Sequence, residues 1–277
     1  MNLAKLKYWI SRYLLVFGGC WLIFEPAGLF FEKLQGIGWY GFFGINILSL
    51  ILTAVIFYPN KTLSIALPES NTRISIAVSD ILDQEGSIVI GTSDTFDTEL
   101  GEIINPSSLQ GQLLTNIYQS DKTALDLDIN IALKEMTAEV DTAKVYGKQE
   151  RYPIGTVANV QRNNNRYFLL AFNKMLPDKK RVSTDIRDLW FTLSNCWNSI
   201  REYGHHKDIH VPIIGSKFAR TGLSCNIIIQ LIIMSFVISI RQEGIAPSLT
   251  VHVHKTDVDK VDFVALKGWL DCLAGKI

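Results

Sequence analysis

The chain has 277 residues, with 27 basic and 27 acidic side chains and a formal net charge of zero. Without a long basic run, nucleic-acid binding has no electrostatic support. The four cysteines, Cys20, Cys196, Cys225 and Cys272, form no CxxC pair. That argues against a zinc ribbon or redox motif and predicts four buried, reduced thiols in a reducing compartment.

Two apolar stretches open the chain. The second, residues 37–58 (IGWYGFFGINILSLILTAVIFY), carries no charged side chain. As a helix it rises roughly 33 Å, enough to cross a bilayer core of about 30 Å. The first, residues 8–31, is interrupted by Glu25 and Pro26. One reading carries the helix through both. The favoured reading ends it at Phe24, lets Arg12 snorkel and puts Glu25 at the far interface. Together they predict a two-helix transmembrane hairpin over 1–58, a linker over 59–72 and a soluble domain over 73–277. Lys5, Lys7 and Arg12 precede the first span, and Lys61 and Arg73 follow the second. Positive charge at both ends puts both termini and the soluble domain in the cytoplasm of a multi-pass inner-membrane protein.

The soluble part alternates strand and helix signals. RISIAVSDIL and SIVIGTSDTFDT each read as a strand running into a polar loop. LDLDINIALK alternates apolar and polar residues and predicts a strand, and YFLLAFNKM predicts another. STDIRDLWFTLSNCWNSIREYG reads as a helix with Ser183 or Thr184 as N-cap and Gly204 as stop. DIHVPIIG and SLTVHVH read as strands, and DVDKVDFVALKGWLDCL as a closing amphipathic helix. Residues 223–240 (LSCNIIIQLIIMSFVISI) are long enough to suggest a third span. However, Asn226, Gln230, Ser235 and Ser239 favour a buried helix. The pattern predicts an α/β, three-layer domain with a mostly parallel or mixed sheet. Ligands in such sheets bind beyond the carboxyl ends of the strands.

Two polar loops follow buried strands and should meet at that edge. The first holds Gly91, Thr92, Ser93, Asp94 and Thr95. The second is Gly215-Ser216-Lys217-Phe218-Ala219-Arg220-Thr221-Gly222-Leu223. Its glycines permit close backbone approach, the amides at the following helix start favour an anion, and Lys217 and Arg220 add charge. It is not a Walker sequence. His205, His206, His210, His252 and His254 lack metal-ligand spacing, no GxSxG occurs, and neither a metal nor a catalytic residue is predicted.

The order of elements resembles that of a macro domain, the fold that binds ADP-ribose. YPIGT (152–156), YFLLAF (167–172), VPIIGSKFARTGLS (211–224) and the apolar helix after it resemble membrane-anchored, macro-domain effectors of the Thoeris anti-phage system. The resemblance implies that a partner TIR-domain enzyme makes an ADP-ribose-derived signal from NAD and that this protein binds it. Assembly into a homo-oligomer and membrane disruption would follow. It implies that Asp80 contacts the adenine, that residues 215–223 hold the diphosphate, and that Ser107, Ser108 and Gln110 stand where a glycine-rich stretch is usual. The Asn-containing loop of the family is replaced by residues 91–95. That departure favours a binding protein over an enzyme; the alternative is a membrane-tethered ADP-ribosyl hydrolase. No cofactor is implied.

Overall fold

The computed structural model describes residues 3–30, 38–56, 62–68, 70–175, 182–183, 186–214, 222–241 and 243–275. It divides into two compact units, Met1–Asn60 and Lys61–Ile277.

The first unit contains α1 (Leu3–Phe30) and α2 (Gly38–Ile56). The α1 helix runs through Pro26 to Phe30 rather than stopping at Phe24, which overturns the favoured reading of that segment. Among the described residues only α2 is long and apolar enough to cross a membrane. The described residues thus supply one candidate for the two expected spans. The two helices pack on each other. Tyr13 donates a hydrogen bond to Asn46 Oδ1, and the rings of Phe17 and Trp21 each meet Phe42 edge-on at 6.3 Å. Buried Ser49 and Thr53 continue the Asn46 face of α2.

The second unit is built on an eight-stranded mixed sheet: β1 (Thr62–Ala66), β2 (Arg73–Val78), β3 (Ser87–Ser93), β6 (Val157–Arg162), β7 (Asn165–Met175), β8 (Val182–Ser183), β9 (Ile209–Pro212) and β10 (Ser248–Val253). Its spatial order is β1-β2-β10-β9-β3-β7-β6, with β8 on β7. The pairs from β2 through β10, β9 and β3 to β7 are parallel. The flanking pairs of β1 with β2 and of β6 and β8 with β7 are antiparallel. A separate ribbon joins β4 (Glu139–Val140) to β5 (Glu150–Arg151).

The β1 strand falls inside the expected linker. Its burial alternates strictly, with Leu63 and Ile65 inward, so the period-2 signal was present between Pro59 and Pro68. Residues 122–132, expected as a strand, form a helix. LDLDINI satisfies both periods, and the helical one prevails because Leu125 and Ile129, one turn apart, reach the core and Asp121 caps Ala124 N. Ser183 belongs to β8, and Thr184 lies outside the described residues.

Helices cover both faces. One face carries α5 (Ile186–Tyr203), α6 (Cys225–Ile240) and α7 (Phe263–Leu273); the other carries the short α3 (Leu109–Gln112) with its π-helical continuation Leu113–Ile117, and α4 (Lys122–Ala132). The apolar α6 is a core helix, and its Asn226, Ser235 and Ser239 have partners. Trp197 Nε1 donates to Ser235 Oγ at 3.0 Å, Asn226 bonds the backbone of Asp262 in both directions, and Arg201 donates to Ser239. All four thiols are free; Cys196 and Cys225 are buried, whereas Cys20 is half-buried and Cys272 exposed. The expected burial thus holds for two of the four.

Candidate functional site

All five parallel strands end at one edge of the sheet. From β3 the chain moves outward to β7 and β6; from β9 it moves the other way, to β10. The gap outside the carboxyl ends of β3 and β9 is therefore the topological switch point, where open α/β sheets bind ligands. Two segments border it. One follows β3, at Asp94–Thr98. The other follows β9 at Ile213 and Ile214 and leads through residues 215–221 to Gly222 and α6. Residues Gly215, Ser216, Lys217, Phe218, Ala219, Arg220 and Thr221 lie outside the described residues. Gly222 takes a left-handed φ of 72°, and Ser224 caps α6 by accepting from Ile227 N. The first amides of α6 therefore emerge next to that gap. Leu223 packs against the larger core.

The segment after β3 is locked by buried ions. Asp94 Oδ2 accepts from Arg151 Nη1 at 2.6 Å and Oδ1 from Met175 N at 2.9 Å. Arg151 also holds Asp141 at 2.6 Å and donates to Met175 O. Burial works against the Arg151 charge, but the Asp141 and Asp94 carboxylates outweigh it and raise the guanidinium pKa. The same contact lowers that of Asp141. Asp97 pairs with Lys144 at 2.9 Å; the two side chains are 1% and 2% exposed. Asp97 Oδ1 also accepts from Lys148 N, and Gly147, at a φ of 73°, lets that turn approach: a Cβ there would lie 2.1 Å from Asp97.

The structure resolves the other expected residues unevenly. Gly91, Thr92 and Ser93 belong to β3 rather than to a loop. A Cβ on Gly91 would meet the Phe172 ring at 2.5 Å, so this glycine admits a core ring. Thr92 Oγ1 is buried without a partner, and Ser93 bonds Thr95. Ser107 turns onto Asn105 and Ser108 caps α3. Gln110 joins the first loop directly, donating to Asp97 O at 2.6 Å. Asp80 follows β2, three strand spacings from β3, or roughly 14 Å; its Oδ1 accepts from Leu82 N. That separation suits an elongated ligand.

Sequence reasoning missed Asp97, Lys144 and Arg151, because nothing in the spacing of a lone lysine or arginine announces a buried partner. It also missed the joining of His210 and His252 with Ser79. His254 lies past the strand, capping the 3₁₀ turn Lys255–Lys260. Among the described residues no group of three or more His, Cys, Asp or Glu is arranged to hold a metal.

A mixed sheet in this order, helices on both faces and a switch-point crevice define a macrodomain. Residues 74–254 match the family described as Thoeris protein ThsA, macro domain. The chain belongs to that family and is a Thoeris defence protein. It is 25% identical over 234 residues to the Thoeris protein ThsA of Bacillus amyloliquefaciens (strain Y2), covering 81% of this chain and 76% of that protein. Among solved structures it is similar in fold to an Oceanobacillus iheyensis macrodomain with ADP, at a TM-score of 0.51, with 15% identity, 79% of this chain and 100% of that chain covered. A mutant of that macrodomain aligns at a TM-score of 0.50 and 13% identity, over 78% and 99% of the respective chains.

Proposed function

We propose that this protein is a membrane-bound Thoeris effector whose macro domain binds an ADP-ribose-derived signal made by a partner TIR-domain enzyme. Binding favours self-association of the domain, and the attached helices then disrupt the bacterial inner membrane. In this reading α1 and α2 both span the bilayer as a hairpin, with both termini and the macro domain cytoplasmic. The protein acts by binding rather than by turnover. A ligand drives such a change only by binding the assembled state more tightly, so a homo-oligomer is required.

The observation that carries the reading is the topological switch point between β3 and β9. Ile213 and Ile214 leave β9 there and Ser224 opens α6; the sequence between them, 215–223, is read from its glycines and cations as a diphosphate cradle. The Tyr13–Asn46 bond supports a hairpin held together within lipid, where polar side chains join helices, and the small buried Ser49 and Thr53 let the helices approach closely. Calorimetry of the full chain in detergent with ADP-ribose tests the binding step. Micromolar affinity that falls at least tenfold in an Arg220→Ala, Lys217→Ala variant supports it, and no heat of binding refutes it. Dye release from liposomes carrying the protein, on addition of the signal, tests the membrane step.

A further inference from the structure

A hydrogen-bonded chain runs under the end of β2. Ser79 Oγ lies 2.9 Å from His252 Nδ1, His252 Nε2 lies 3.0 Å from His210 Nδ1, and His210 Nε2 lies 3.1 Å from the carbonyl oxygen of Glu85. His210 and His252 are buried, at 8% and 4% exposure. Burial lowers both imidazole pKa values, that of His252 to about 4, against the opposing pull of Asp208 on His210 and of Asp80 on His252. Both rings are therefore neutral at pH 7, each with one donor and one acceptor.

That makes the chain one-directional. A carbonyl oxygen only accepts, so His210 carries its proton on Nε2 and accepts at Nδ1. His252 then donates from Nε2 and accepts at Nδ1, and Ser79 must donate its hydroxyl proton to His252. The reverse order would press the bare Nε2 lone pair of His210 against the Glu85 carbonyl. Ser79 is thus left with lone pairs only, and the next residue, Asp80, is an acceptor as well. Ser79 is half-buried and directly follows β2, at the edge where the parallel strands end.

We propose that Ser79 is a specificity-determining residue, fixed as a hydrogen-bond acceptor by His252, His210 and the Glu85 carbonyl, so that the end of β2 takes an N–H donor of the ligand and disfavours a carbonyl there. This rests on the reading that a nucleotide occupies the crevice. It selects ligands whose base carries an amino group, as ADP does, over those with an oxo group in its place.

The test uses the full chain in detergent, with ADP-ribose and its hypoxanthine counterpart as probes. Wild type should prefer the amino form by about tenfold or more. Ser79→Ala should lose most of that preference while still binding ADP-ribose, and Ser79→Thr should keep it. Nitrogen-15 NMR at pH 7 should find both His210 and His252 protonated at Nε2. A proton on Nδ1 of either ring, or an undiminished preference in Ser79→Ala, overturns the proposal. If wild type binds neither probe, the nucleotide reading itself fails, and this one with it.

Discussion

Replacing Lys144 with methionine should destabilise the second unit more than any loss of a surface charge. Lys144 Nζ sits 2.9 Å from Asp97 Oδ2 with both side chains almost wholly buried, and donates to Lys148 O at 2.6 Å. At an effective dielectric of about 20 the ion pair is worth roughly 6 kcal/mol in Coulomb energy, most of it cancelled by desolvation. Removing one partner leaves the other charge stranded, at a cost of about 3–5 kcal/mol. Asp97 keeps its bonds to Thr95 and Lys148 N, so the low end, about 3 kcal/mol, is expected. For a unit of this size that is a fall in Tm of roughly 6–12 °C. The assay is thermal unfolding of the full chain in detergent, read by near-ultraviolet circular dichroism. Adding Asp97→Asn should recover part of the loss. Lys267→Met is the control: its Asp271 pair is 64% and 32% exposed, and its loss should cost less than about 1 kcal/mol. A Lys144→Met melting within about 2 °C of wild type would falsify the claim that this pair is buried and locks the loop after β3.

Other outcomes follow from the same geometry. The His252 pKa is about 4 in the folded protein against 6.5 for the free side chain. The unfolded chain therefore takes up the proton first, and stability contributed by this group is lost as pH falls from 6.5 towards 4. At pH 5 the loss is about 2 kcal/mol; urea titrations at pH 7 and 5 should find it reduced in His252→Gln, and equal losses in both proteins would count against it. Gly91→Ala should cost about 1–3 kcal/mol by driving a methyl into the Phe172 ring, with partial recovery on adding Phe172→Leu, measured as Tm. Asn46→Leu should weaken association of α1 and α2, measured with separate helix peptides in micelles, by about 0.5–1 kcal/mol through loss of the Tyr13 bond; unchanged association would mean that the aromatic contacts of Phe17, Trp21 and Phe42 suffice.

Much of the fold was legible because buried strands of a parallel sheet announce themselves as apolar runs. RISIAV, SIVIGTS and SLTVHV were all located this way. The exceptions share a cause: local pattern was ambiguous and a distant contact decided. LDLDINI fits both periods until Leu125 and Ile129 find the smaller core. The β1 strand has only five residues between prolines, and its ladder with β2 supplies what its length does not. The Thr62–Ala66 segment therefore looked like linker. At the candidate site, the edge at which the parallel strands end was readable, but Gly91, Thr92 and Ser93 prolong a strand instead of forming a loop. The ionic lock was not readable. Asp97 and Lys144 are 47 positions apart, and His210 and His252 are 42 apart; no periodicity relates them, because only the fold brings them together.

The antiparallel ladder between β1 and β2 has a mechanical corollary. Thr62, where the chain coming from α2 joins the sheet, is registered with Ala77, two residues before Ser79. The first residue of β1 thus lies at the edge where the parallel strands end, close to Ser79, rather than at the opposite edge of the sheet. Weakening the Thr62–Ala77 end of that ladder would therefore disturb the same short stretch of backbone that carries Ser79.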